Sequence, residues 1–331
     1  MSKNLALYFY IYFPLYDNMK RQLLFFVLFL SFISFKLSAQ EIEINRLKKH
    51  IYFLADDKMK GRPTGSQELA KSAKYIEKEF RKYKLKPLGT KGYRQKFEAK
   101  VRRVPVPDSI RQAENIIGLL DNGAPYTIVV GAHYDHLGHG DFGGTRDTSH
   151  IGQIHNGADD NASGVAGLLE LARYYSSNKI KEKYNILFIA FSAEELGLLG
   201  SRHWTENPTL PLEKIHWMLN MDMIGRYNPD NGLAIIGYGT SSKFPVIFEN
   251  ISSTIKFNKS RDGNGGSDQT SFYKKNIPVL FFHTGGHDDY HKATDDADKI
   301  DYESLKTILD LEVKVINNSM LQDKMDFIWT N

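Results

Sequence analysis

The chain has no cysteine among its 331 residues. That excludes disulfide staples, thiolate zinc fingers, iron–sulfur clusters and a cysteine nucleophile. It leaves the compartment open, because a cysteine-free chain suits any redox state. A metal site here must be built from His, Asp and Glu. Excess charge is also lacking. Of 43 Lys and Arg and 39 Asp and Glu, Lys3, Lys20, Arg21, Lys36 and Asp17 lie before residue 40, which leaves 39 basic against 38 acidic residues, a net of +1. A near-neutral body gives no electrostatic case for nucleic acid. The 26 glycines and 18 tyrosines show no period, which argues against a repeat array. What is present is an ordinary globular balance, 41% hydrophobic and 25% charged, so a disordered or collagen-like chain is excluded as well.

The N-terminus reads as an address. Met19-Lys20-Arg21 is basic, Leu23 to Phe35 is apolar except for Ser31 and Ser34, and Ser38-Ala39 precedes an abrupt change to polar sequence. This is the order of a secretory signal peptide, and the apolar run is short for a span of about 20 residues. Residues 1–39 are therefore expected to be a signal peptide region, with Met19 as an alternative start, and the protein to be periplasmic or secreted. The alternative is an uncleaved anchor that includes the aromatic-rich Leu5 to Leu15. Membrane contact is expected only in that case.

From Glu41 onward helical and strand-like segments alternate. Helical spacing runs over Glu43–Leu54 and, capped by Ser66, to about Tyr83. Further helices are expected over Ser163–Tyr175, Glu194–Trp204, Lys243–Ile255 and Tyr302–Ile316. Strands are expected over Tyr93–Val104, Asn115–Leu120, Tyr126–Gly131, Tyr184–Phe191, Ile215–Asn220, Leu233–Gly237 and Val279–Phe282, with Asn122-Gly123 in turn position. The pattern implies an α/β three-layer sandwich, a mixed, mostly parallel central sheet flanked by helices. No linker divides residues 40–331, which read as a single domain. Gly138–Gly157 is a long glycine-rich loop, of the kind that is usually functional or disordered.

Five polar motifs stand out, four of them directly after or within a strand-like run, and open α/β sheets bind ligands at the carboxyl ends of their strands. His133 and Asp135 leave a buried strand two residues apart, so they share a face. A carboxylate there can fix the tautomer of a metal-binding imidazole, with His136 and His139 as rivals and a structural strand-end histidine as the plain alternative. Asp159 and Asp160 open a helix, where a carboxylate is also favoured by the dipole alone. Glu194 and Glu195 follow an apolar strand; one can ligate a metal while the other serves as base, or both can be an exposed pair. Asp222 sits between two methionines, where an unpaired carboxylate is costly; a metal or a salt bridge to Arg226 would relieve it. His291 follows the last strand in an acidic stretch, with His287 as the rival. Carboxylates with imidazoles and no thiolates suit Zn²⁺, or Mn²⁺ or Co²⁺.

The stretches GAHYDHLG, NGADDNASG, FSAEELGLLGS, NMDMIG and DDYHKATDD together resemble metallopeptidase family twenty-eight, the bacterial leucyl-aminopeptidase type of co-catalytic zinc exopeptidase, from about Glu41 to the C-terminus. The resemblance implies two Zn²⁺ per chain. His133, Asp160 and Asp222 would hold one ion, and Asp160 would bridge to a second held by Glu195 and His291. Glu194 would be the general base and Asp135 would orient His133. Ser267-Asp268 falls where the family has a supporting segment. The implied function is an aminopeptidase acting on peptides with a free N-terminus through a two-metal-activated water. The alternatives are a glutaminyl cyclase-like zinc enzyme, which shares the fold and uses one zinc, and a receptor-like binding module of the same fold. The sequence gives no reading of oligomeric state or side-chain preference.

Overall fold

Three of the sequence's apolar runs are buried at every residue, the mark of parallel strands covered on both faces. They are Thr127–His133, Asn185–Phe191 and Ile215–Met221, strands β4, β5 and β6 of the computed structural model. The structure describes residues 41–107, 109–148 and 152–330. The expected signal region, residues 1–39, lies outside them. Among the described residues no helix is long and apolar enough to cross a membrane. From Ile42 onward the chain clusters as one compact unit.

The other strands are β1 (Lys86–Pro87), β2 (Arg94–Lys100), β3 (Ile110–Leu120), β7 (Leu233–Ile236), β8 (Phe257–Ser260) and β9 (Val279–His283). All nine form one mixed sheet in the order β1-β3-β5-β4-β6-β9-β7-β8, with β2 also pairing β3. The central four, β5, β4, β6 and β9, run parallel. Both margins are antiparallel to that centre, through β3 on β5 and β7 on β9. The Asn122-Gly123 turn joins β3 to β4, yet β5 lies between them, so it closes no hairpin.

The helices are α1 (Ile44–Leu54), α2 (Gln67–Lys82), α3 (Gly164–Ser177), α4 (Leu199–Glu206), α5 (Phe244–Phe248), α6 (Gln269–Tyr273) and α7 (Tyr302–Met320). Ser66 Oγ accepts the Leu69 N–H at 2.9 Å and starts α2, a cap contribution of about 1 kcal/mol. Strand side chains alternate between two cores, as a period of two requires. Ile128, Val130, Ile186 and Phe188 meet α1, α2, α3, α5 and α7 on one face. Val129, Leu187, Ile189 and Phe191 meet Trp204 of α4 and Phe272 of α6 on the other. Each fully buried aliphatic side chain contributes roughly 1.5–3 kcal/mol. At Gly131 a Cβ would come within 2.5 Å of Phe191, so this strand position needs glycine.

Two expected helices differ. The helix expected from Glu194 begins only at Leu199, because Ala193, Gly197 and Leu198 all take positive φ and the chain turns before it coils. The Lys243–Ile255 helix is cut to Phe244–Phe248, after which β8 adds a strand that was not expected.

Candidate metal centre

Because the four central strands are parallel, their carboxyl ends fall on one edge of the sheet. His133 ends β4. Glu194 and Glu195 lie in the turn after β5, and Asp222 follows β6 directly. His291 comes from the loop after β9. Asp160 arrives from the segment Ala158–Ser163 that leads into α3.

These residues gather into two groups that share Asp160. His133 Nε2 lies 3.3 Å from Asp160 Oδ1 and 3.4 Å from Asp222 Oδ1. His291 Nε2 lies 3.0 Å from Asp160 Oδ2 and 3.4 Å from Glu195 Oε2. Four donors around a tetrahedral zinc at ordinary bond lengths stand about 3.4 Å apart, so these separations fit ligands of a common ion. His133 Nε2 and Glu195 Oε1 are buried and have no hydrogen-bond partner among the described residues. Orphaned buried donors and acceptors of this kind are costly unless something else satisfies them. Donor chemistry, spacing and orphaned atoms all fit divalent ions.

The electrostatics show a demand for positive charge. Burial alone would lower the His133 pKa, but the charges of Asp222 and Glu194 and the contacts to Asp160 and Asp222 outweigh it and hold the imidazole well above its ordinary value. His291 is pushed up to about 9, the contact with Asp160 and the charge of Glu195 overcoming burial. Burial raises the Glu194 carboxyl well above the usual range, opposed by His133 and reinforced by Glu195 and Asp222. Glu194 Oε2 is 4.0 Å from His133 Nε2.

Asp135 works at two points. Its main-chain carbonyl, at 3.2 Å, receives the His133 Nδ1–H, while its carboxylate stands 3.9 Å from that nitrogen. The carboxylate instead accepts the Glu194 N–H and the Thr64 hydroxyl, each at 3.1 Å. Asp268 is fully buried behind the site, and burial pushes its carboxyl up to about 7. Of the rivals, His136 lies at the site, grouped with Asp160 and Glu195 closely enough to hold an ion; the others fall elsewhere. His287 Nε2 meets Asp159 at 3.1 Å, His139 bonds the Gly152 carbonyl, and Arg226 pairs with Asp289 rather than Asp222.

Several supporting residues were given no role by the sequence. The Asp295 carboxylate accepts the N–H groups of Asp159 and Asp160 at 3.0–3.1 Å. Asn161 donates to the Met221 carbonyl and accepts from the N–H groups of Gly164 and Met223, tying the Asp160 segment to the end of β6. Arg62 is 1% exposed and donates to the carbonyls of Leu54, Tyr134, Asn156 and Gly157. Burial lowers its pKa to about 10, against the pull of Asp160 and Asp135. Asn161 lies within NGADDNASG and Asp295 within the DD repeat of DDYHKATDD, whereas nothing in the sequence marks Arg62. From the long loop, the Gly144 carbonyl accepts the His291 Nδ1–H at 2.7 Å, leaving Nε2 for the site.

The groups open onto a cavity of about 350 Å³. Asp160, Glu194, Glu195 and Asp222 line one part of it, Met223, Ile236, Phe281 and Tyr290 make an apolar wall, and Arg103 is the one lysine or arginine on it among the described residues.

Residues 115–316 match the model of peptidase family M28, well over half of the chain. The chain belongs to peptidase family M28. Leupeptin-inactivating enzyme 1 of Streptomyces exfoliatus is 34% identical over 159 residues, 46% of this chain and 34% of that protein. Aminopeptidase YwaD of Bacillus subtilis is 28% identical over 227 residues, 64% of this chain and 46% of that one. The chain thus spans between a third and a half of these relatives. A leucine aminopeptidase precursor from Bacteroides thetaiotaomicron superposes with a TM-score of 0.67 at 19% identity, covering 85% of this chain and 98% of that one. A glutaminyl cyclase from the same organism gives 0.66 at 20%, covering 84% and 98%. At such identities these two M28-like structures show the shared fold.

Proposed function

We propose that this M28 chain is an exported zinc aminopeptidase that uses two ions to remove N-terminal residues from peptides. The observation that carries the reading is the pairing of two donor groups through the two oxygens of Asp160, at separations that suit ligands of common ions. His133, Asp160 and Asp222 would hold one ion, and Asp160, Glu195 and His291 the other. Bound there, the ions would supply Lewis acidity toward the scissile carbonyl and a water acidified toward neutrality.

The chain's own residues do the rest. The Asp135 carbonyl fixes the His133 tautomer so that Nε2 faces the site. The Asp135 carboxylate holds the main chain of Glu194. Glu194, a carboxyl whose proton affinity is raised by burial, takes up a proton during attack and returns it to the departing amine. The carboxylate-rich part of the cavity suits a free ammonium terminus, and the apolar wall suits a hydrophobic first side chain. Relatives bearing the names aminopeptidase, leucine aminopeptidase and probable zinc metalloprotease support the reading. Export rests on the composition of residues 19–39.

The test is a metal count with an aminoacyl panel on the purified chain. Two zinc per chain, loss of activity on chelation with recovery on zinc addition, and cleavage of leucyl anilide but not its N-acetyl form are expected. One zinc per chain with cyclisation of a glutaminyl peptide would establish the cyclase instead. No bound ion would end the assignment.

A further inference from the structure

A third imidazole is buried beside the two groups, and its distances set it apart from the others. His136 Nδ1 is 2.8 Å from Glu195 Oε1 and 3.9 Å from Asp160 Oδ2. The first separation is that of a hydrogen bond, clearly shorter than the roughly 3.4 Å between donors that share one zinc. It also involves the Glu195 oxygen that does not face His291, whose Nε2 stands 3.4 Å from Oε2. His136 Nδ1 and Glu195 Oε1 are both buried, and among the described residues neither has an aligned hydrogen-bond partner, their own 2.8 Å approach being out of line. The terminal torsion of a glutamate is soft, so a rotation there aligns the pair.

The ring is held in place. Gly157 leaves room for it: a Cβ there would come within 2.5 Å of His136 Cγ and Cδ2. The ring meets His291 edge-on with centroids 6.0 Å apart. The main-chain N–H of His136 donates to the Arg62 carbonyl at 3.2 Å.

We infer that His136 is a positioning residue: its Nδ1–H holds Glu195 Oε1, so that Oε2 is presented with His291 and Asp160 to the second ion. This rests on the two-ion reading above. A ligand held by a hydrogen-bonding neighbour is a known device, and loss of such a neighbour costs 10–100-fold in metal affinity. The effect should fall on the ion held by Glu195 and His291 and spare the one held by His133 and Asp222.

The experiment titrates the zinc-free protein with zinc in competition with a chromophoric chelator, for wild type, His136→Leu and His136→Asn. Cobalt spectra report the coordination of each site, and thermal melts report folding. In His136→Leu the second zinc should bind 10–100-fold more weakly while the first is unchanged. His136→Asn, which keeps a donor near Nδ1, should recover most of the loss with the wild-type cobalt spectrum. Unchanged affinity for both ions in His136→Leu overturns the inference. So does equal weakening of both ions in a folded protein, or no recovery in a folded His136→Asn. Loss of a nitrogen ligand in the His136→Asn cobalt spectrum would make His136 a ligand instead and also overturn it. Wild type that binds no ion, or only one, defeats the two-ion reading itself.

Discussion

Arg62 offers the sharpest test of how the fold holds the site. Its guanidinium is buried and spans four main-chain carbonyls: Leu54 at the end of α1, Tyr134 between His133 and Asp135, and Asn156 and Gly157 on the approach to Asp160. It has no ion pair with a carboxylate among the described residues; its charge is balanced at longer range by Asp160, Asp135, Asp295 and Glu195. Hydrogen bonds from a charged donor contribute about 1.5–3 kcal/mol each, so four represent about 6–12 kcal/mol gross. Burying the guanidinium costs several kcal/mol in return. Arg62→Met fills a similar space, avoids that cost and strips the carbonyls of their donor. The net loss should be about 3–5 kcal/mol, or roughly 5–8 °C in melting temperature for a domain of this size. Arg62→Lys should fall between, since a compact ammonium cannot reach acceptors on several sides at once. Thermal melts by circular dichroism read both losses. A melting temperature within about 2 °C of wild type in Arg62→Met would refute the reasoning.

Three more outcomes follow from the same structure. Glu194→Gln should keep its metal and lose about 10²–10⁴-fold in kcat; a variant of full activity in a clean preparation rejects Glu194 as the base. Glu312 is fully buried on α7, both carboxylate oxygens lack partners among the described residues, and burial raises its pKa well above the ordinary value. The folded protein then binds a proton that the unfolded chain releases as pH rises above about 4.5, so stability falls with pH and Glu312→Gln should gain up to roughly 3 kcal/mol at pH 7 and nothing at pH 4. Equal gains at both pH values would show that the proton is not involved. His216 is also buried, with Nε2 bonded to the Ser319 carbonyl and Nδ1 accepting the Met325 N–H, a pattern only the neutral ring satisfies. Burial lowers its pKa to about 4. The unfolded chain therefore takes up a proton first as pH falls from about 6.5, and this residue should remove about 3 kcal/mol of stability by pH 4. In urea melts that acid limb should be shallower in His216→Phe; an identical slope would count against the assignment.

The sequence alone determined the elements and the donor types. Apolar runs of seven residues are legible because a strand buried on both faces admits little else, and Ser66 marks a helix start because its hydroxyl satisfies a free N–H. Adjacent polar pairs at strand ends were legible for the same reason: charge beside a buried strand needs an explanation. What no local pattern holds is which atoms meet. Whether His291 or His287, or Asp159 or Asp160, faces the centre is set by contacts across more than a hundred residues, such as Asp295 on the Asp159 and Asp160 N–H groups and Gly144 on His291. The turn that carries Glu194 and Glu195 looked helical because an acidic pair with apolar neighbours fits either state, and positive φ at three nearby residues decides it. Arg62 gave no usable signal and His136 was legible only as a rival of His133, since a buried cation and a buried imidazole gain their roles only from carbonyls and carboxylates delivered by other parts of the chain. Periodicity is a property of neighbours along the chain, whereas a metal centre is a property of neighbours in space.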